Sequence, residues 1–153
     1  MRKRIAGALF AAALACFVAP WFAVELGGRE LTRFSGTELV FGTAFTAASP
    51  AAFLGSVGGQ MPAQFAAICG LAALALGLFG RKASGVAATS AATGALAGVL
   101  VESVLFPNIL RLRPVSTVEI TAQTGYYLAL LLFLAGAIAA APTSFGAGGK
   151  SDN

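Results

Sequence analysis

The chain has 153 residues, of which 58% are hydrophobic and only 10% charged, with a formal net charge of +4. Soluble domains average roughly 45–50% apolar and 25% charged residues. The lack of histidine excludes imidazole metal sites and Ser-His or Cys-His catalytic pairs. The basic residues form no basic face with interleaved aromatic residues, so no nucleic acid partner is predicted.

Four long apolar stretches divide the chain, and the short segments between them hold nearly all the charge. The stretches cover residues 5–22, 61–79, 83–105 and 125–141. About 20 helical residues match the roughly 30 Å hydrocarbon core of a bilayer. The pattern predicts an all-α membrane protein: a single domain over residues 1–141, built as an antiparallel bundle of four transmembrane helices. A disordered cytoplasmic tail is expected over residues 142–153.

Basic residues lie at the ends of these stretches, at positions 2–4 and 81–82. Because positive charge near short loops tends to stay in the cytoplasm, we expect both termini to be cytoplasmic. The predicted location is the plasma (inner) membrane, with several passes through the lipid bilayer. A cleaved secretory signal is the alternative at the N-terminus, and the apolar run continuing through Trp21 and Phe22 favours an uncleaved helix.

Small residues recur at four-residue spacing along the third stretch. One row contains Gly85, Thr89 and Thr93, and the other contains Ser90, Gly94 and Gly98. Such rows let helix backbones approach closely. They predict that this helix is central to the bundle, with a homo-oligomer formed through it as the alternative.

Two outer segments lie between the stretches and carry β-strand patterns. Alternation around Gly27-Gly28 predicts a hairpin, and the run at 115–121 predicts a further strand. We expect the hairpin and the strand to form a small extracytoplasmic three-stranded sheet. A two-residue turn would place Glu25 opposite Glu30, a like-charge pair that costs free energy, so the register stays open. Irregular loop is predicted beyond Gly42, up to residue 60.

A resemblance follows from three short motifs. They are Pro20-Trp21-Phe22, then Ser35-Gly36-x-x-Leu39-x-x-Gly42, and Gly125-Tyr126-Tyr127 at the start of the fourth stretch. The first outer loop resembles that of small, uncharacterised bacterial four-transmembrane-helix proteins with an SGxxLxxG element. The architecture is also loosely similar to claudin-like tetraspan proteins, without their W-G-L-W and paired-cysteine pattern. The resemblance implies a four-span fold and no particular activity.

Few residues could carry chemistry. Glu102 is the one carboxylate close to the interior of a stretch, and an ionisable group at that depth is a candidate ion or proton site. The alternative is that Glu102 reaches outer water or pairs with Arg111 or Arg113. Cys16 and Cys69 lie in apolar stretches, where a thiol is usually a packing residue. We therefore predict no enzyme, no cofactor and no metal site.

The leading hypothesis is a non-enzymatic scaffold or interaction protein that acts through its outer loops. The predicted binding surface consists of Phe34, Ser35, Gly36, Leu39, Gly42, Arg111 and Arg113. The partner would be a membrane protein, a second copy of the chain or envelope material. Plain structural turns are the other interpretation of these residues. The alternative function is a small transporter or channel subunit with Glu102 in a polar path.

Overall fold

The protein is represented by a computed structural model that describes residues 2–49, 52, 56–79, 84–112 and 118–141. The described residues form, in order, α1 (Arg2–Ala15), β1 (Pro20–Leu26), β2 (Arg29–Ser35), α2 (Gly36–Phe41), β3 (Gly42–Ala44), β4 (Ser56–Gly58), α3 (Met61–Phe79), α4 (Ser84–Leu112), β5 (Val118–Ala122) and α5 (Thr124–Ala140). Helices and strands are therefore mixed. The prediction was an all-α bundle with one small three-stranded sheet, whereas the described residues also form a second, two-stranded sheet.

None of the helices in the described ranges has the combination of length and apolarity that crossing a membrane requires. The predicted bundle of four transmembrane helices is therefore wrong, as is the multi-pass inner-membrane location with cytoplasmic termini. The first apolar stretch shows one physical reason. Helix α1 has only 14 residues, about 21 Å at 1.5 Å per residue, and the stretch continues as strand β1. The predicted tail, residues 142–153, lies outside the described residues.

A tight turn ends α1 before the first strand. Phe17 N donates a hydrogen bond to Leu14 O at 3.0 Å. This bond spans three residues, as in a 3₁₀ turn, and it satisfies a backbone carbonyl that would otherwise be free at the helix end. Pro20 then starts β1, since proline has no N–H for a helix and favours extended backbone. Trp21 Nε1 donates to Cys16 O at 2.9 Å. The indole therefore fixes the turn that separates helix from strand.

The main sheet has three antiparallel strands in the order β2-β1-β5. Gly27 and Gly28 form the turn between β1 and β2 with φ of 58° and 79°, a region that side chains disfavour and that two-residue hairpins need. Strand β5 pairs along the other side of β1. The hairpin and the strand expected from the two outer segments thus join in one sheet.

The register of this sheet brings three glutamates into one row. Glu25 of β1 is opposite Glu30 of β2 and opposite Glu119 of β5. The β1–β2 pairing is irregular between Val24 and Glu25, yet the irregularity does not separate the acidic pair. Like charges directly opposite one another destabilise a sheet.

The segment between β2 and α3 contains two short strands, so the irregular loop predicted beyond Gly42 is wrong at β3 and β4. Strands β3 and β4 pair antiparallel, with Gly42 opposite Gly58. Gln60 N donates to Leu39 O at 2.6 Å, which ties the start of α3 to α2. Gln60 Nε2 also donates to Gly58 O at 2.8 Å. Local hydrogen bonds therefore hold the small second sheet against the first turn of α3.

The four longer helices pack in a ring in which α1 and α4 each contact both α3 and α5. Glycines permit the close contacts. Gly136 of α5 lies against the ring of Phe10 in α1, and Gly70 of α3 lies against Phe133 of α5. Helices α3 and α5 begin and end within one residue of their predicted bounds.

Helix α4 is longer than predicted. It runs from Ser84 to Leu112, whereas the predicted apolar stretch covers residues 83–105 and ends before Pro107. A proline removes one backbone hydrogen bond and tends to kink a helix, but it does not always end one. The backbone here stays helical for five residues beyond Pro107.

The two rows of small residues in α4 have different environments. Gly94 lies against α3, and Gly98 lies against Leu130 of α5, so this row packs inside the molecule. In the other row, Thr89 and Thr93 are exposed. The row that contains Gly94 and Gly98 therefore supports the predicted central packing role of this helix.

Candidate interaction surface

Three of the seven residues predicted to form the binding surface are buried. Phe34 and Leu39 are both 0% exposed, and Gly36 is buried. Phe34 packs edge-to-face against Phe45, with ring centroids 5.7 Å apart. These side chains stabilise the fold beneath a surface and are not themselves accessible to a partner.

Ser35 caps α2. Its hydroxyl accepts a hydrogen bond from Glu38 N at 3.2 Å, and the Glu38 carboxylate accepts from Ser35 N at 2.7 Å. This reciprocal arrangement is a capping box, which satisfies free N–H groups at a helix start. The signal Ser-x-x-Glu before an apolar run was present in the sequence, although the prediction did not include a helix here.

The two glycines of the predicted surface are required by close packing. A Cβ added to Gly36 would lie 2.9 Å from Phe17 Cα, a backbone atom that cannot move easily. Gly42 has a φ of 83°, and a Cβ there would lie 2.9 Å from Val57 O. Both positions therefore accept only glycine without rearrangement.

The charged members of the prediction lie on or beyond the C-terminal part of α4. Glu102 and Arg111 belong to the helical backbone, 9 residues apart in the chain, and their side chains are not among those described. Arg113 lies outside the described residues. The ion or proton site at Glu102 and the part of Arg111 and Arg113 in the binding surface therefore stay predictions.

An aromatic cluster joins the main sheet to the helices. Trp21 of β1 packs on Phe17 and on Tyr126 of α5, with ring centroids 4.4 and 5.8 Å away. Phe22 also packs on Tyr126, at 4.9 Å. Since Trp21, Phe22 and Tyr126 are buried, these rings act as a core and fix the sheet on the end of the helical ring.

Strand β2 forms one edge of the main sheet, and no described strand lies on its outer side. Its charged residues Arg29, Glu30 and Arg33 are exposed. Arg33 Nε donates to Glu30 Oε1 at 2.7 Å and Nη2 donates to Oε2 at 2.9 Å. The hydrogen bonds from Arg33 hold the pKa of the Glu30 carboxyl below its usual range, so the pair is ionised at neutral pH.

A second accessible feature is an apolar groove between α4 and α5. Its volume is about 390 Å³, and its walls include Ala92, Leu96 and Val99 of α4 and Leu130, Leu131 and Leu134 of α5. The groove opens onto further exposed aliphatic side chains on both helices. It contains no polar group that could orient a substrate, which distinguishes it from an ordinary active-site pocket.

The thiols and carboxylates of the described residues show neither an activated cysteine nor a metal-binding cluster. Burial raises the pKa of the Cys16 and Cys69 thiols, which keeps both neutral and poorly nucleophilic near pH 7. Within those same residues, no group of three or more Cys, Asp or Glu side chains could hold a metal ion. The β2 edge and the apolar groove are both accessible to a partner.

Comparison of the chain with protein-family models, with curated proteins and with solved structures finds no match in any of the three. The resemblance to bacterial four-span proteins stays a prediction.

Proposed function

We propose that this protein is a non-enzymatic interaction protein that recognises a protein partner through the hairpin end of its main sheet. One observation carries the proposal: β2 is an edge strand of seven residues whose outer side no described strand covers. An uncovered edge presents backbone N–H and C=O groups to which an extended partner segment can add as a further strand.

The charged side chains on β2 restrict which partner strands can pair with this edge. Natural proteins place charged side chains on exposed edges to prevent indiscriminate strand pairing. Arg29 and the Glu30–Arg33 pair fulfil that condition, so a suitable partner strand must present groups that complement both signs. Recognition by this edge therefore depends on charge pattern as well as on backbone hydrogen bonds.

The aromatic cluster also supports the proposal, because it holds β1, the strand next to β2, in place. Trp21 and Phe22 are held by Tyr126, so β1 cannot shift easily when a strand is added to β2. A preorganised edge loses little conformational entropy when it binds.

Site-specific photo-crosslinking in the full chain tests this function. A photoreactive amino acid at Thr32 in β2 is expected to give a discrete crosslink to one protein in a native extract, and the same probe at the exposed residue Ala11 in α1 is the control. The captured protein is then purified and titrated against the wild type and Arg33→Glu. We expect saturable binding that Arg33→Glu weakens at least tenfold, since charge reversal removes the pair and creates like-charge contacts. Equal capture from both probe positions, or unchanged affinity of Arg33→Glu, would contradict the proposal.

A further inference from the structure

Large aliphatic side chains from both helices lie on the exposed side of the groove between α4 and α5. We call this surface the α4–α5 face. Its exposed members are Leu96, Val99, Leu100, Leu131, Leu134 and Ile138. Leu96 is 68% exposed and Leu131 is 63% exposed, and both line the same groove. The face is therefore continuous across the two helices.

The spacing of exposed residues on this face is that of a helix–helix seam. In α4, the exposed residues Val86, Thr89, Thr93, Leu96 and Leu100 follow one another at alternating intervals of three and four. Helix α5 repeats the pattern with exposed Tyr127, Leu131, Leu134 and Ile138. Intervals of three and four place side chains along one stripe that packs against another helix.

Charge is lacking from the whole face. Residues 84–101 of α4 contain no charged side chain, and neither does α5. A surface that complements this face therefore needs no charge of its own. The same face on a second copy of the chain meets that requirement, and a two-fold axis makes such contacts self-complementary.

The area also fits a dimer. The six aliphatic residues and their small neighbours offer on the order of 600 Å², near the roughly 800 Å² per partner that a stable interface buries. A contiguous apolar patch of this size is at the upper limit for a monomer. The groove of about 390 Å³ provides room for aliphatic side chains of the opposing copy.

We propose that the chain forms a symmetric dimer in which the α4–α5 face of one copy packs on the same face of the other. Leu96 and Leu131 of each copy fill the groove of its partner. This dimer goes beyond the proposed partner recognition and uses a different surface, because the β2 edge lies on the main sheet.

The test is the mass of the full chain in detergent-free buffer, measured by sedimentation velocity and light scattering over a dilution series. We expect a mass near twice 15.3 kDa that falls on dilution. Leu131→Glu places a charge at the centre of the face and is expected to give a monomer. Ile68→Glu is the matched control, because Ile68 of α3 is 62% exposed and lies outside the groove; this variant should remain dimeric.

Folding of each variant is checked by circular dichroism. If Leu131→Glu does not fold, Leu134→Gln provides a milder change at the same groove and is expected to raise the dimer dissociation constant at least tenfold.

Three outcomes overturn the proposal: a monomeric wild type, loss of the dimer in Ile68→Glu alone, or a dimer that the groove variants do not affect. So does a wild-type monomer that floats with phosphatidylcholine vesicles, since lipid would then cover the face. Thr32 crosslinking is scored separately, so either proposal can fail alone.

Discussion

Gly36 lies against the indole of Trp21, so close that a Cβ added to the glycine would be 2.7 Å from Cε2 of the ring. The contact joins the start of α2 to β1 and therefore to the aromatic cluster. A residue as small as alanine cannot enter this space unless the ring or the backbone of Phe17 moves.

We therefore expect Gly36→Ala to lower the free energy of unfolding by about 1–3 kcal/mol, the usual cost of overpacking. Gly85→Ala is the control, since a Cβ there meets nothing within 4 Å. That variant should be neutral or stabilised by up to about 1 kcal/mol, because alanine favours helix. Urea unfolding followed by circular dichroism measures both. Equal stabilities of the two variants would show that the Trp21 contact is not tight.

The capping box of α2 gives a second prediction. Ser35→Ala removes the acceptor for Glu38 N and should cost about 0.5–2 kcal/mol in the free energy of unfolding. Ser35→Thr keeps the hydroxyl and should recover most of this loss. Thermal unfolding of the three proteins provides the comparison, and a Thr variant no better than Ala would argue against capping as the cause.

The row of glutamates across the main sheet gives a third prediction. Replacing Glu119 with Gln removes one of the charges facing Glu25 and is expected to stabilise the protein by about 0.2–1 kcal/mol. Because salt screens exposed charges, the gain should shrink as the salt concentration rises. Urea titrations at low and high NaCl measure this change. A gain that is independent of salt would point to β-propensity instead of charge.

The pair between Glu30 and Arg33 gives a prediction about pH. Since Arg33 lowers the pKa of Glu30 in the folded protein, the pair stabilises the fold above the unfolded-state pKa. This contribution is lost as the pH falls through the lower, folded-state pKa. Arg33→Gln should raise the Glu30 pKa toward its ordinary value, which a carboxyl-carbon NMR titration detects. Arg29→Gln should leave the Glu30 pKa close to its wild-type value, because the two side-chain hydrogen bonds to the Glu30 carboxylate come from Arg33.

The main sheet was predictable from local signals. Gly27-Gly28 between alternating residues specifies a two-residue turn, and the β-branched run that contains Val118 and Ile120 specifies a strand. Helix α2 was equally predictable from the Ser35-x-x-Glu38 capping signature, which precedes Leu39 and Val40.

Other features are not visible in the hydrophobic pattern. Apolar residues suit a helix and a buried strand alike, so the pattern does not show that the first stretch divides at Ala15, although Pro20 and the Trp21–Cys16 hydrogen bond are local features that mark the division. Strands β3 and β4 have three residues each, too few for a periodicity. The prediction of an accessible surface around Phe34 and Leu39 did not anticipate their burial, because the groups that cover them come later in the chain: Phe45 packs on Phe34, and α3 packs on the helix that carries Leu39.

The strand order β2-β1-β5 has a consequence for synthesis on the ribosome. Strand β1 acquires its first neighbour almost at once, across the turn at Gly27-Gly28, but its second neighbour is not made until α3 and α4 have been translated. One side of β1 is therefore open for most of the time that the chain is growing. Closing so long a loop is entropically costly and slow. The nascent protein is consequently most vulnerable to mispairing during that interval, before β5 emerges.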